Sequence, residues 1–225
     1  MSTKNFFMKI TLFHLPNSRS QRILWLLEEL KCDYKLILGN AVPDDQKMKY
    51  PTVDILDHGT AFRLTETSAI AEFLSHHFKF LPDHLNNVQD SVNFFFWKNY
   101  ADGSFMPDLA LKQVFNQIVL QTPWPLRFIS KSFQYAFHKG YLNSSLQKHM
   151  EKIEHHLSTR LWVDAEFGIS DILLWFPLQA CYVSSNKLNY PHIGKYLHKI
   201  SERPAFRVAL KKGEFSEATF DKYWQ

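Results

Sequence analysis

Cysteine is scarce in this sequence, and long apolar runs are absent. The two cysteines, Cys32 and Cys181, lie far apart and form no CxxC pair, so neither a disulfide framework nor a zinc site is indicated. The longest apolar run, residues 172–183, contains a proline and a glutamine and is shorter than a membrane span. The N-terminal residues show no signal-peptide pattern. We therefore expect a cytoplasmic protein without a membrane span.

Basic side chains are scattered rather than gathered into a run, with 26 Lys and Arg against 22 Asp and Glu. One late stripe has the spacing of a solvated helix face: Lys195, Lys199, Arg203, Arg207, Lys211 and Lys212. No nucleic-acid partner is therefore expected, and an adaptor of that kind would bind with a steep salt dependence. The histidine pairs His76-His77 and His155-His156 lack a third ligand at suitable spacing, so no metal site is expected.

Apolar residues are plentiful, at 45% of the 225 residues, and 20 of them are Phe. A chain of this length and composition can bury a substantial core in one large domain or two smaller ones. Aromatic residues of this abundance favour core packing and are also typical of an apolar ligand pocket.

The first 80 residues predict alternating strands and helices. Residues 9–15 and 34–38 are short apolar strands, and the periodic apolar positions of 19–30 predict a helix between them, with Asn17 or Ser18 as its N-cap. Such a βαβ unit normally forms a parallel strand pair.

A hairpin and a second helix complete this pattern. Strands 52–56 and 61–64 flank a turn at Gly59, and a helix follows from residue 65. The polar segment 82–87 predicts a linker. Helical periodicity follows in 88–100, 142–157, 171–183 and 193–200. We predict an α/β domain at 8–81 and an all-α helical bundle at 88–225.

Four stretches carry a family resemblance: NSRSQRILW at 17–25, YPTV at 50–53, ETSAI at 66–70 and FGISD at 167–171. Together they resemble the soluble glutathione transferases, particularly the fungal and bacterial branch, over nearly the whole chain. The resemblance implies a thioredoxin-like N-terminal domain followed by an all-helical C-terminal domain. In the fourth stretch Asp171 matches the acidic member of the family's helix-capping box, whereas Gly168 replaces the expected Ser or Thr.

Ser18 is the candidate catalytic residue. It stands four residues before Arg22, as the thiolate-stabilising serine does in the serine-type members that the chain resembles. A hydroxyl at a helix N-terminus suits stabilisation of a thiolate. The alternative is that Ser18 only caps the helix. Asn17 and Arg19 are the fallback donors and are predicted to contact glutathione.

The resemblance places further glutathione contacts on the next two motifs. Tyr50 and Pro51 correspond to the family's cis-proline segment, whose backbone pairs with the cysteinyl part of the ligand. Thr67, at a helix N-terminus, would bind the γ-glutamyl carboxylate, and Glu66 would meet the ammonium group. The alternative for Glu66 and Thr67 is a capping motif that binds no ligand.

The segment between Leu38 and Pro51 departs from the family pattern. It has only twelve residues, too few for the full second helix that family members usually have there. That helix helps relatives to hold the glycyl end of glutathione, and Lys47 or Lys49 is the candidate replacement cation.

The electrophile site is expected in an apolar cleft between the domains. The candidate side chains are Trp97, Tyr100, Ser104 and Phe105. Residues 97, 100 and 104 follow helical spacing and share a face, although a Phe-rich helix also suits core packing or a dimer interface.

The leading functional hypothesis is a homodimeric glutathione transferase in detoxification. It would conjugate the thiolate of reduced glutathione to small hydrophobic electrophiles, with peroxidase side activity and no cofactor. The alternative hypothesis is a non-catalytic relative that keeps the fold with a degenerate glutathione site, and the short segment before Pro51 supports it.

Overall fold

The computed structural model describes residues 8–39, 51–81 and 88–224. The chain divides into two compact units. One contains Met1–Asp83 and Lys199–Phe220, and the other contains His84–His198 and Asp221–Gln225. The domain boundaries at 8–81 and 88–225 stay a prediction.

A four-stranded mixed sheet lies in the first unit. Its strands are β1 (Lys9–His14), β2 (Tyr34–Leu38), β3 (Thr52–Asp57) and β4 (Thr60–Thr65), in the order β2-β1-β3-β4. The pair β1-β2 is parallel, and the other two pairs are antiparallel. Helix α1 (Ser20–Leu30) joins the parallel pair, and α2 (Thr67–His77) follows β4. The predicted βαβ unit and hairpin are confirmed.

The hairpin turn and the strand alternation follow from the sequence. His58 and Gly59 both have positive φ, 46° and 86°, which is the geometry that lets a two-residue turn match the strand twist. Along β1 the buried positions are Ile10, Leu12 and His14, because successive side chains point to opposite faces. A histidine therefore occupies the last inward position of an otherwise apolar strand face.

Helix α1 is covered by a C-terminal helix of the same unit, α9 (Pro204–Lys212). The ring of Trp25 lies 4.8 Å from that of Phe206 in an edge-to-face contact. Arg203 donates to both carboxylate oxygens of Glu29 at 2.7 and 2.8 Å. The aromatic contact and the ion pair hold α9 against α1, which contributes to the full burial of residues 23–27.

The remaining helices are α3 (Val88–Tyr100), α4 (Met106–Gln121), α5 (Arg127–Phe137), α6 (Asn143–Leu157), α7 (Ile169–Val183), α8 (Pro191–Ser201) and α10 (Glu217–Trp224). Short π-helical segments, Ala101–Phe105 and His138–Leu142, join α3 to α4 and α5 to α6. The described residues contain no helix that is both long enough and apolar enough to cross a bilayer. The helical second part that the sequence predicts is confirmed.

Helix α7 is central to the second unit, because it is apolar and buried on nearly every side. Its N-cap, Gly168, is extended, and Asp171 accepts the Gly168 N–H at 3.0 Å. The other oxygen of Asp171 accepts the Val163 N–H at 3.0 Å and the Tyr196 hydroxyl at 2.8 Å. Glycine has no side-chain oxygen, so only the acidic half of the capping box is present.

We expect Asp171→Ala to lower the free energy of unfolding by about 3 kcal/mol, because two buried N–H groups and one hydroxyl lose their acceptor. Urea unfolding followed by circular dichroism measures this change. The matched control is Asp33→Ala at an exposed position, which should change stability by less than about 0.5 kcal/mol. Equal stabilities for the two variants would contradict the anchoring role of Asp171.

Candidate active site

Three segments of the first unit meet at one end of the sheet. In the strand register Phe13 pairs with Thr52, and Thr52 pairs on its other side with Thr65. The turn after β1, Pro51 before β3 and the start of α2 after β4 each begin within a few residues of this row. The sheet topology therefore brings the segments that carry the predicted glutathione contacts together.

Ser18 lies in the tight turn between β1 and α1. Its Oγ is 2.7 Å from the Oγ of Ser20, and it also accepts the Ser20 N–H at 3.3 Å. Arg19, the residue before α1, has helical φ and ψ and makes no side-chain capping bond. The helical dihedrals already begin at Arg19, and the Ser18 side chain accepts the N–H two residues further on, which is the hydrogen bond of an N-cap. The prediction that Ser18 caps this helix therefore agrees with the structure.

A chain of hydrogen bonds runs inward from Ser18. The Oγ of Ser20 is 2.7 Å from Nδ1 of His14, and Nε2 of His14 is 3.0 Å from the carbonyl oxygen of Gly213. Burial lowers the pKa of His14 to about 4, although the bond to the Gly213 carbonyl opposes this shift. The imidazole is therefore neutral near pH 7.

The Gly213 carbonyl sets the direction of every bond in this chain. A carbonyl oxygen only accepts, so Nε2 of His14 carries the proton and Nδ1 must accept. The Ser20 hydroxyl consequently donates to His14, and the Ser18 hydroxyl donates to Ser20. The Ser18 oxygen also accepts the Ser20 N–H, so Ser18 and Ser20 are joined by two hydrogen bonds.

The C-terminal segment holds the turn at two further points. Gln21 donates through Nε2 to the carbonyl of Ala209 at 2.8 Å. Oδ1 of Asn17 accepts the N–H of Ser216 at 2.9 Å. Asn17 has a φ of 57°, a left-handed conformation that asparagine tolerates better than most residues. The predicted glutathione contact Asn17 thus has a structural use for its side-chain oxygen.

A buried arginine links α1 to the start of α2. Arg22 is fully buried and donates through Nη2 to Oγ1 of Thr67 at 3.2 Å. Thr67 is the first residue of α2, where the positive end of the helix dipole favours an anion. The guanidinium adds a positive charge behind this anion-favouring end.

Glu66 directly precedes α2 and is exposed. Its φ of 75° and ψ of 127° are rare for a residue with a side chain. Such backbone strain costs roughly 1–3 kcal/mol and often marks a functional site. The strained residue is the one predicted to meet the ammonium group of glutathione.

Tyr50, Lys47 and Lys49 lie outside the described residues, as does the segment 40–50. The predicted cis bond at Pro51 and the replacement cation therefore stay predictions. Pro51 itself is buried immediately before β3.

The candidate electrophile residues belong to the second unit: Trp97, Tyr100, Ser104 and Phe105. Ser104 is exposed, whereas the three aromatic side chains are buried. The Trp97 ring lies 4.5 Å from His156, and the Phe105 ring stacks 4.8 Å from His149. The Tyr100 hydroxyl is hydrogen-bonded to His149. These contacts give the aromatic residues a packing role, and their part in an electrophile site stays a prediction.

Sequence reasoning missed His14, Ser20 and Gly213. One signal was available for His14, because it continues the inward alternation of Ile10 and Leu12. A polar side chain at such a position needs buried partners. Its partner Gly213 is 199 residues away, and no local pattern predicts that contact. In the part of the chain that the structure describes, no group of His, Cys, Asp and Glu could hold a metal ion.

Comparison with known proteins identifies the family. No family model matches the chain. The chain is 31% identical to glutathione S-transferase 3 of Schizosaccharomyces pombe, over 93% of this chain and 90% of the relative. It belongs to the glutathione S-transferase family. This relationship supports a transferase.

Solved structures agree with this glutathione S-transferase assignment. A glutathione S-transferase from Actinobacillus pleuropneumoniae superimposes with a TM-score of 0.69 at 25% identity, covering 94% of this chain and 99% of that one. A sphingomonad glutathione S-transferase complexed with glutathione gives 0.65 at 20% identity, over 91% and 98%. The thioredoxin-like sheet with a helical remainder is thus the fold of the family.

Gly213 is required by close packing rather than by its backbone angles. A Cβ there would lie 2.4 Å from Oε1 of Gln21 and 2.8 Å from Nε2 of His14. We expect Gly213→Ala to lower the free energy of unfolding by about 2 kcal/mol through overpacking. Urea unfolding is the measurement, with Gly103→Ala as control because no atom lies within 4 Å of its added Cβ. A Gly213→Ala protein as stable as the control would refute the tight fit.

His14 should make stability depend on pH. Its pKa of about 4 in the folded protein lies below the ordinary 6.5. Between these two pH values the unfolded chain therefore binds more protons than the folded chain does. The stabilisation is complete above about pH 6.5 and is lost as the pH falls toward 4, amounting to about 3 kcal/mol.

Urea unfolding at about pH 7.5 and about pH 4.5 tests this dependence. His14→Gln should lose less stability on acidification than the parent protein, by about 3 kcal/mol. The control His155→Gln, at an exposed position, should keep the parent slope. If His14→Gln loses as much stability on acidification as the parent protein does, His14 does not titrate in this way.

Proposed function

We propose that this glutathione transferase activates reduced glutathione as a thiolate at Ser18 and conjugates it to small hydrophobic electrophiles, with peroxide reduction as a side activity. The observation that carries this proposal is the Ser18 hydroxyl, held at the end of the sheet by a polarised chain that ends on a buried, neutral His14. The S. pombe relative is named a glutathione S-transferase, and the sphingomonad relative was solved with glutathione.

Activation requires the pKa of the ligand thiol to fall. A cysteine thiol titrates near 8.5, so a thiolate at neutral pH needs a lowering of about two pKa units. That lowering corresponds to about 2.7 kcal/mol of preferential stabilisation of the anion. One charge-assisted hydrogen bond supplies roughly 1.5–3 kcal/mol, so a single hydroxyl at a helix start is sufficient.

Ser18 must exchange one hydrogen bond for another to act. Without ligand its proton points to Ser20, which fixes the hydroxyl close to the site. Rotation toward a thiolate gives up a neutral bond worth about 1 kcal/mol and forms a stronger charged one. The anion therefore draws the proton toward itself, whereas a neutral thiol gains less from the exchange. The difference between the two forms is what lowers the thiol pKa.

The start of α2 holds the other end of glutathione. Thr67 and the positive end of the α2 dipole bind the γ-glutamyl carboxylate, supported by the buried charge of Arg22. Glu66 meets the ammonium group. Asn17, Arg19, Tyr50 and Pro51 line the cysteinyl portion of the ligand. Reduced glutathione is the co-substrate, and the reaction uses no metal.

The helical unit provides the electrophile site and a dimer contact. Trp97, Tyr100, Ser104 and Phe105 contribute to the electrophile site. A stripe of exposed apolar residues on α3 has the spacing of one helix face and supports a homodimer: Val88, Val92, Phe95 and Phe96. The enzyme acts in the cytoplasm, in detoxification.

Ser18→Ala tests the catalytic assignment. Loss of the hydroxyl should raise the pKa of bound glutathione by about two units and lower kcat/KM by about 100-fold near neutral pH. Conjugation to a chlorodinitrobenzene probe, measured as a function of pH, gives both quantities. Ser18→Thr keeps a hydroxyl and should recover most of the activity.

Two results would contradict this assignment. Unchanged turnover in Ser18→Ala, together with a large loss in Asn17→Ala, would assign the thiolate donor to Asn17. Absence of turnover in the parent protein, with glutathione still bound as a thiol, would favour the non-catalytic alternative.

A further inference from the structure

The amphipathic helix α5 has the reverse of the usual orientation. Its half-buried stripe consists of Arg127, Ser130, Gln134 and Phe137, three of which are polar. Gln134 donates to Oδ1 of Asn116 on α4 at 2.6 Å. Surface helices normally bury their apolar face and expose the polar one. Here the polar stripe packs on the unit, and the apolar face is directed outward.

This outward face is continuous with the loop before α5 and with part of α4. Within the described chain, the apolar tip consists of these exposed residues: Val114, Ile118, Leu120, Trp124, Leu126, Phe128, Ile129, Phe133 and Tyr135. The most exposed are Trp124 at 83%, Phe133 at 69% and Phe128 at 67%. Clustered exposure of large apolar side chains marks an interaction surface.

A groove opens within the apolar tip. It lies between α4 and α5, has a volume of about 410 Å³, and its walls are mainly carbon atoms of Phe115, Ile118, Leu126, Ile129 and Phe133. This volume is within the range of natural ligand pockets and accommodates part of an acyl chain.

The charged residues of the segment that contains the apolar tip are all basic. Residues 109–150 contain five Lys and Arg and no Asp or Glu. Lys131 on α5 and Lys139 in the π-helical segment that follows are both exposed, and Nζ of Lys139 lies 5.8 Å from the centre of the Tyr135 ring. Among the described residues, neither lysine nor Arg127 forms an ion pair. The tip therefore has exposed basic side chains beside its apolar surface.

We propose that the apolar tip docks on an anionic lipid surface, with Trp124, Phe128 and Phe133 in the interface and Lys131 and Lys139 at the headgroups. Exposed Trp and Phe combined with flanking cations are the pattern by which helices lie in a membrane interface. Anionic headgroups supply the charge that residues 109–150 lack. A second copy of the chain fits less well, because a symmetric contact would place like charges together.

Flotation of the full-length protein with lipid vesicles tests the docking. Binding to phosphatidylcholine vesicles with about 30% phosphatidylserine should exceed binding to pure phosphatidylcholine at least about tenfold. Raising the salt to about 0.5 M should remove most of it. Equal binding to both vesicle types, or no binding to either, would overturn the proposal.

Two pairs of variants assign the binding to the tip. Lys131→Glu with Lys139→Glu, and separately Trp124→Ala with Phe128→Ala, should each reduce binding to anionic vesicles at least about tenfold. The matched controls replace exposed residues elsewhere: Lys35→Glu with Lys211→Glu, and Leu161→Ala with Leu188→Ala. The controls should bind as the parent does, and cooperative thermal unfolding verifies that each variant is folded.

Equal losses in the tip variants and their controls would overturn the assignment to the tip. Sedimentation of the same proteins tests the second copy as occupant. Suppose that the parent protein is a dimer, does not bind anionic vesicles, and becomes a monomer when Trp124→Ala and Phe128→Ala are combined. This result would identify the tip as a contact between copies and refute lipid docking.

Discussion

The buried imidazole of His14 is the constraint on which the site depends. It takes the last inward position of β1, where the other inward residues are apolar, and it requires a partner on each ring nitrogen. The Gly213 carbonyl satisfies Nε2, and the Ser20 hydroxyl satisfies Nδ1. One side chain thus ties the C-terminal segment to the turn that carries Ser18. This is also why the approach of residue 213 leaves no room for a Cβ.

The buried His14 also sets the direction of the hydrogen bonds in the site. Because burial keeps the imidazole neutral, every proton in the chain from Ser18 to Gly213 has a defined direction. Ser18 is consequently held in place by a neutral bond that an anion can outcompete. At the other end, Arg22 and the start of α2 provide positive charge without exposing a cation. In the proposed function, the first unit would therefore support both ends of glutathione with the buried groups His14 and Arg22.

Local patterns predicted most of the sheet and several helices. The boundaries of β2 and α3 match the predicted residues, because short apolar runs and regular periodicity specify them. Helices α4, α5, α9 and α10 were not predicted individually. In α5 the apolar periodicity is strong, but the apolar face is exposed to solvent. A prediction that assumes apolar residues face the core therefore fails for this helix. The packing of α9 on α1 joins segments more than 170 residues apart, and composition carries no information about it.

The site residues also fall into those that local sequence motifs predict and those that they do not. Ser18, Glu66 and Thr67 follow from motifs close to helix starts, where sequence and chemistry are directly related. His14, Ser20 and Gly213 depend on contacts across the fold. Glu66 shows a third case, because its motif was recognised while its strained backbone is visible only in the structure.

The most direct test of this account is an ultraviolet titration of glutathione bound to the parent protein. If Ser18 stabilises the thiolate, the thiolate absorbance of the bound ligand will appear with a pKa about two units below the free value of about 8.5. Glutathione that binds and still titrates near 8.5 would contradict activation at Ser18. Failure to bind at millimolar concentration would contradict the glutathione site itself.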